Sequence, residues 1–275
     1  MSLIYKKSNY TLLFIVLLTN IFQSFSQEES WETYIAQKEK GFMAVTVNME
    51  LKFSRPYYKN LLIVGTQTSK CLKNGYPKEE GLEQLYTFSD SIATIVNKHT
   101  KNRLAGIITY QCVGFDIFYV KDTLDLRPNI NTFIKNNYAK SKNYLVIAPD
   151  KKWVYYQDSL FPKQLSNDFF INHELLSQLF YQGDNFTKPQ KIEHWIYFKR
   201  EKRRQKFIDK IQALNFKVDS LSFKKSDYTP YELKISREDK LDPNAIAVLT
   251  AMLKNLSSSM YGTYDGWGIK PILKD

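Results

Sequence analysis

Hydrophobic positions along this chain change period several times, and each change marks a different element. Phe42 to Asn48 (FMAVTVN) alternates apolar and polar residues, the period-two pattern of a strand. Tyr58 to Thr66 (YKNLLIVGT) predicts another strand, ended by Gly65 and the polar residues around it. Pro77 to Glu80 opens a helix, because proline suits a first helical position and acids suit the first turn. Leu82, Leu85, Ile92 and Val96 form its apolar face. Leu104 to Cys112 and Phe115 to Val120 predict a strand pair broken at Gly114, followed by a helix from Asn129 to Tyr138. Tyr144 to Ala148 and Trp153 to Gln157 predict a hairpin around Pro149, Asp150 and Lys151. A helix from Phe169 to Tyr181, with Ile171, Leu175, Leu176 and Leu179 inward, closes this half.

The breakers Gly183, Asp184, Asn185 and Pro189 predict a domain boundary. Beyond them come a strand (Ile192 to Phe198), a helix (Arg200 to Leu214) and a strand pair (Phe216 to Phe223, Tyr231 to Ile235). Asp242 is placed to cap a helix with Pro243 at its first position and Ile246, Leu249, Leu253 and Leu256 inward. Tyr261 to Ile269 is a last strand. That order, β-α-β-β-α-β, is ferredoxin-like. Tyr58 to Ala148 spells the same order with extra strands around it. The expected fold is therefore α+β with two domains, the N-terminal one an elaborated version of the C-terminal topology, each with helices on one face of its sheet.

The start of the chain changes where this fold is expected to reside. Lys6 and Lys7, a short apolar run from Thr11 to Phe22, and Ser24 and Ser26 read as a secretory leader over residues 1–26. The run is shorter than the roughly 20 apolar residues a membrane span needs, so export with cleavage is expected and no membrane anchor remains. The domains are then 27–183 and 184–275. The formal charge is +11, or +9 without the leader lysines; Lys188–Asp275 holds 18 Lys and Arg against 11 Asp and Glu, net +7. Basicity concentrated in the C-terminal domain fits an acidic partner such as an anionic polymer.

Cys71 and Cys112 are the two cysteines. They fall at one edge of the predicted first sheet and are either a disulfide or two partly buried thiols. His173-Glu174 lacks the second histidine of a zinc-protease helix, since Ser177 stands there, and is expected to be a surface pair. No metal ligand set, cofactor motif or nucleophile motif is found. Asp116, Asp122 and Asp125 are the carboxylates nearest to an acid/base group, and a hydrolase using Asp116 or Asp122 is one reading of the chain. The sharpest charged feature is KREKRRQK, residues 199–206. In a helix of 100° per residue, Lys202 and Lys206 face water, while Arg200 and Arg204 extend the buried stripe of Phe207, Ile208 and Ile211. Arg200, Arg203 and Arg204 are therefore the candidate binders of an anionic partner. In the last strand, Tyr264, Asp265 and Trp267 are candidate contacts, although glycine there also builds backbone and Trp267 also anchors apolar surface.

Those last residues carry a resemblance. The order β-α-β-β-α-β, the helix from Pro243 to Leu256 and the string Tyr264-Asp265-Gly266-Trp267-Gly268 resemble the RraB family, protein regulators of ribonuclease E. The N-terminal part is similar to the uncharacterised domain of unknown function 695 family through Trp31 to Tyr34, Met43 to Asn48 and Cys112 to Asp116. The resemblance implies a non-catalytic module that binds a protein. It does not transfer the partner, because an exported chain would not meet a cytoplasmic nuclease, and the family's regulators are acidic where this domain is basic. The expected function is an exported, non-catalytic binding or regulatory protein with a protein partner and no cofactor. A binder of an anionic polymer and a hydrolase are the alternatives.

Overall fold

The computed structural model describes residues 30–53, 57–225 and 227–269. The predicted leader therefore lies outside the described residues. Strands β1 (Trp31–Lys38), β2 (Gly41–Asn48), β3 (Asn60–Gln67), β4 (Asn102–Tyr110), β5 (Val113–Val120) and β6 (Asn143–Pro149) form one sheet in the order β1-β2-β4-β5-β3-β6, all antiparallel. Helix α1 (Glu79–His99) joins β3 to β4, and α2 (Leu126–Asn137) joins β5 to β6. The strands β3 to β6 thus have the predicted topology, extended at β4 by the β1–β2 hairpin. A helix α3 (Asn167–Tyr181) leads to the second sheet. There β7 (Gln190–Phe198), β8 (Lys217–Phe223), β9 (Tyr231–Asp239) and β10 (Gly262–Ile269) run in the order β10-β7-β9-β8. Helix α4 (Glu201–Gln212) joins β7 to β8, and α5 (Pro243–Ser259) joins β9 to β10. The fold is α+β with two antiparallel sheets of related topology.

Local chemistry sets the boundaries. The β4–β5 hairpin turns at Gln111 and Cys112, both at positive φ (48° and 66°), as a two-residue loop on twisted strands requires. Ser166 accepts the Phe169 amide at α3, and Asp242 accepts those of Asn244 and Ala245 at α5. Strand β3 runs through Gly65 to Gln67, one residue past the predicted end at Thr66. Glycine is needed there because a Cβ would stand 2.7 Å from the Gly114 carbonyl oxygen. Pro77 lies two residues before α1, bridged to Cys71.

The predicted strand at 153–157 is absent. Asp150 instead accepts the amides of Val154 and Tyr155 and the Tyr119 hydroxyl, which nucleates a helical turn in place of a hairpin. Trp153 stacks on Tyr119 at 3.8 Å and donates its indole N–H to the Tyr58 carbonyl. Trp153, Tyr156 and Leu160 cover one face of the first sheet, over Val45, Val47 and Ile117. The opposite face carries Leu62, Val64 and Phe118 under Phe88, Ile92 and Ile130. The first sheet is therefore covered on both faces rather than one.

Ile171 does not face inward; it is 60% exposed. The buried positions of α3 are Asn172, His173, Leu176, Ser177, Leu179 and Phe180. They form a wide arc because two bodies flank this helix, the first sheet at β1 and the second domain at α5. Ile35, Phe42 and Ala44 from the first sheet share one core with Leu176 and Phe180 of α3 and with Ile192 and Ile246 of the second domain. From Trp31 onward the chain is one compact unit.

Candidate functional site

The string Tyr264 to Gly268 lies in β10, antiparallel to β7. Tyr264 and Trp267 are three residues apart, so in a regular strand they would point to opposite faces. The register instead shifts between Tyr264, opposite Ile196, and Gly266, opposite Trp195. This bulge leaves Asp265 exposed and returns Trp267 to the core side. Gly266 sits at φ +151°, a conformation that side chains rarely adopt. The Tyr264 hydroxyl lies 2.9 Å from Nδ1 of fully buried His194. The Trp267 indole N–H donates to Asn172 Oδ1 at 2.8 Å, and Asn172 donates in turn to the Thr250 hydroxyl.

Asn172 and its neighbour His173 divide α3 between two partners. The Ile35 amide of β1 donates to His173 Nδ1 at 3.1 Å, which leaves the ring proton on Nε2. His173 is thus buried and structural, not a surface partner of Glu174, and burial holds its pKa down at about 4. Asn74 adds a third tie by donating to the Phe180 carbonyl in the last turn of α3 and to the Asp184 carbonyl just beyond it. Sequence reading missed Asn74, Asn172 and His194; Asn172 and His194 carried the signal of a polar residue inside an apolar helical or strand stripe, whereas Asn74, in a loop, carried none. The Asn74 loop also carries Cys71, which is bonded to Cys112 with Cα atoms 5.9 Å apart. Backbone bonds from Thr68 N to Cys112 O and from Cys112 N to Gly75 O draw the loop onto the hairpin turn.

The three arginines of KREKRRQK separate. Arg204 is buried and donates to the Ser222 and Glu232 carbonyls and to Glu201, so it ties α4 to the end of β8 and the start of β9. Its place in the buried stripe follows the sequence reading, but its guanidinium is committed to internal acceptors. Arg200 and Arg203 line a cleft of about 240 Å³ with Lys199 and Tyr261. The Arg203 guanidinium lies 4.6 Å from the Tyr261 ring centre, and the Lys199 ammonium lies 3.8 Å from that of Tyr228. Helix α4 begins there with no side-chain cap, so its first-turn N–H groups add partial positive charge.

The carboxylates considered for catalysis do not converge. Asp116 is buried under α1 and accepts from Ser89 Oγ at 3.0 Å; burial pushes its pKa up to about 7. Asp122 and Asp125 are exposed, and Asp125 caps α2 through its backbone carbonyl. A separate groove of about 420 Å³ runs between β1 and α3, lined by Glu32, Phe170, Ile171, Glu174 and Tyr181 among others. Among the described residues, no His, Cys, Asp and Glu group could hold a metal ion, and no helix is long and apolar enough to cross a membrane.

Residues 171–269 match the family model described as Regulator of ribonuclease activity B, and residues 29–161 match a family of unknown function, DUF695. The C-terminal part of the chain thus resembles the RraB family and the N-terminal part the DUF695 family. No curated protein matches the chain. A solved structure of a candidate glycine cleavage system transcriptional repressor is 9% identical, covers 77% of this chain and 98% of its own, and has a TM-score of 0.25. An unknown protein from Galdieria sulphuraria is 8% identical, covers 75% of this chain and 96% of its own, and has a TM-score of 0.20. Scores this low bear on neither fold nor function.

Proposed function

We propose that this chain is an exported, non-catalytic binding or regulatory protein that acts by holding a protein partner, with domains 27–183 and 184–275. The observation that carries this reading is the match of residues 171–269 to a family described as a regulator of ribonuclease activity. The leader pattern supports export, which separates this chain from a cytoplasmic ribonuclease. The carboxylates Asp116, Asp122 and Asp125 stand apart, which weighs against a hydrolase built on them. Tyr264 and Trp267 are turned inward, so partner contact falls to other surfaces. The groove between β1 and α3, with exposed Ile171 and the acids Glu32 and Glu174, has the mixed apolar and charged character that suits a protein partner.

The test is cross-linking capture from the cell-envelope and secreted fractions with the full chain as bait. The expected result is one protein recovered in stoichiometric amount, and its loss on Ile171→Asp in a chain that still folds. Failure to recover a specific partner across cross-linking conditions would sink this reading.

A further inference from the structure

We propose that the cleft at Lys199, Arg200, Arg203 and Tyr261 is a binding site for a phosphoryl group, presented either by a soluble phosphate ester or by a phospholipid headgroup. The first argument is the pairing of charge across the domain. Lys191, Lys224, Lys234 and Arg237 each meet a carboxylate of the second sheet, Lys254 meets Asp168, and Arg204 meets Glu201. Among the described residues, neither Arg200 nor Arg203 has an acidic partner, and no acid lines the cleft. Lys199, Arg200 and Arg203 therefore bring three cations to one concavity whose lining holds no acid.

The second argument is how the cations are held. Aromatic rings fix two of the three heads: Tyr261 lies under the Arg203 guanidinium, and Tyr228 lies under the Lys199 ammonium and accepts a hydrogen bond from it. Tyr261 is a non-glycine residue at φ +59°, held in the α5–β10 turn by the hydrogen bond its backbone N–H donates to the Ser258 carbonyl, and it is 71% exposed. Three like charges thus converge in a preorganised setting, beside a helix start whose dipole has the same sign. Each term disfavours the empty cleft and is relieved by an anion. A carboxylate has two oxygens to offer. A phosphoryl group has three terminal oxygens for two forked guanidiniums and an ammonium, and so uses the donor set more fully. Lys202 and Lys206 are exposed outside this lining and serve as internal controls.

The site stands independently of the protein-partner reading, since the β1–α3 groove shares none of its lining residues. The test is calorimetric titration of the full chain with pyrophosphate at low salt, together with sedimentation on vesicles of phosphatidic acid, a phosphomonoester lipid, in phosphatidylcholine and on vesicles of phosphatidylcholine alone. One saturable pyrophosphate site is expected, weakened about tenfold or more by Arg200→Ala and by Arg203→Ala and less than about twofold by Lys202→Ala. Sedimentation with phosphatidic acid vesicles but not with phosphatidylcholine alone, lost in the same two variants, supports the site with a lipid headgroup as its source. Pyrophosphate binding without vesicle association supports it with a soluble ester. If Arg203→Ala lowers the unfolding midpoint, Arg200→Ala, whose side chain is exposed, decides the matter. The proposal is overturned if neither probe binds saturably, or if Lys202→Ala weakens binding as much as the arginine variants, because that result describes diffuse charge. Either outcome leaves partner capture to be judged on its own.

Discussion

The Trp267 indole N–H donates to Asn172 Oδ1 at 2.8 Å, joining the last strand of the second domain to the helix that also carries the first sheet. This bond makes Trp267 a structural residue. Trp267→Phe keeps most of the apolar surface and strands a buried amide oxygen, so it should cost about 1–3 kcal/mol. Asn172→Ala removes the other half of the bond. A double-mutant cycle read by urea unfolding should show a coupling of at least about 0.5 kcal/mol. A Trp267→Phe chain of unchanged stability that loses its partner would move this residue to the binding surface.

Gly266 is the device that makes that bond possible. A Cβ added there would meet nothing within 4 Å, so the cost of Gly266→Ala is conformational, not steric, and arises from φ +151°. The expected loss is roughly 1–3 kcal/mol. It should be accompanied by changed near-ultraviolet circular dichroism as Trp267 leaves its pocket; a spectrum and midpoint equal to the parent's would refute the bulge as the cause.

Arg204 and Arg203 are one residue apart and should respond in opposite ways. Arg204→Lys replaces a fork that serves two carbonyls and a carboxylate with a single ammonium, leaving a buried carbonyl unpaired at about 1–3 kcal/mol. Arg203→Ala should alter stability by no more than about 0.5 kcal/mol. Reversing Arg204 to Glu is then a folding defect and not a binding test, whereas reversing Arg200 and Arg203 addresses the cleft. Thermal unfolding of the single variants separates the two roles.

Two kinds of buried group give stability opposite pH slopes. Burial holds His173 and His194 neutral, each down at about 4 from an ordinary 6.5. Unfolded imidazoles bind protons throughout that interval and native ones do not, so this contribution is lost as pH falls from about 6.5 through about 4. Asp116 is the reverse: burial raises it from 3.8 to about 7, with a hydrogen bond from Ser89 opposing and Asp90 adding to the rise. The native carboxyl keeps a proton that the unfolded one has released, so stability declines as pH rises from about 4 to about 7. Asp116→Asn should therefore gain on the parent progressively across that interval, measured by urea midpoints at pH 4 to 8. A constant difference between the two would show that Asp116 does not titrate in this way.

The order and type of most elements could be read from residue pattern, because a period of two or 3.6 and a capping residue act within one segment. Asp242 with Pro243 predicted the start of α5, and it is there. The string YDGWG identified the second domain's resemblance. The error at Trp153 has the opposite origin. Its segment looks extended by itself, but Asp150 receives the Tyr119 hydroxyl from another strand and two amides of its own segment, and the helical turn follows. The error at Ile171 arose because one apolar stripe was assumed where two bodies cover α3.

By itself, then, the amino-acid sequence determined the α+β class, the repeated β-α-β-β-α-β order, the concentration of positive charge beyond residue 187 and the identity of the candidate residues. Tertiary structure alone decided their roles. It buried Arg204 on carbonyls of β8 and β9, left Arg200 and Arg203 open beside Tyr261, and turned Trp267 toward Asn172 by a one-residue bulge. The physical reason is range: periodicity and capping are local, whereas burial and hydrogen-bond satisfaction depend on which distant segments meet.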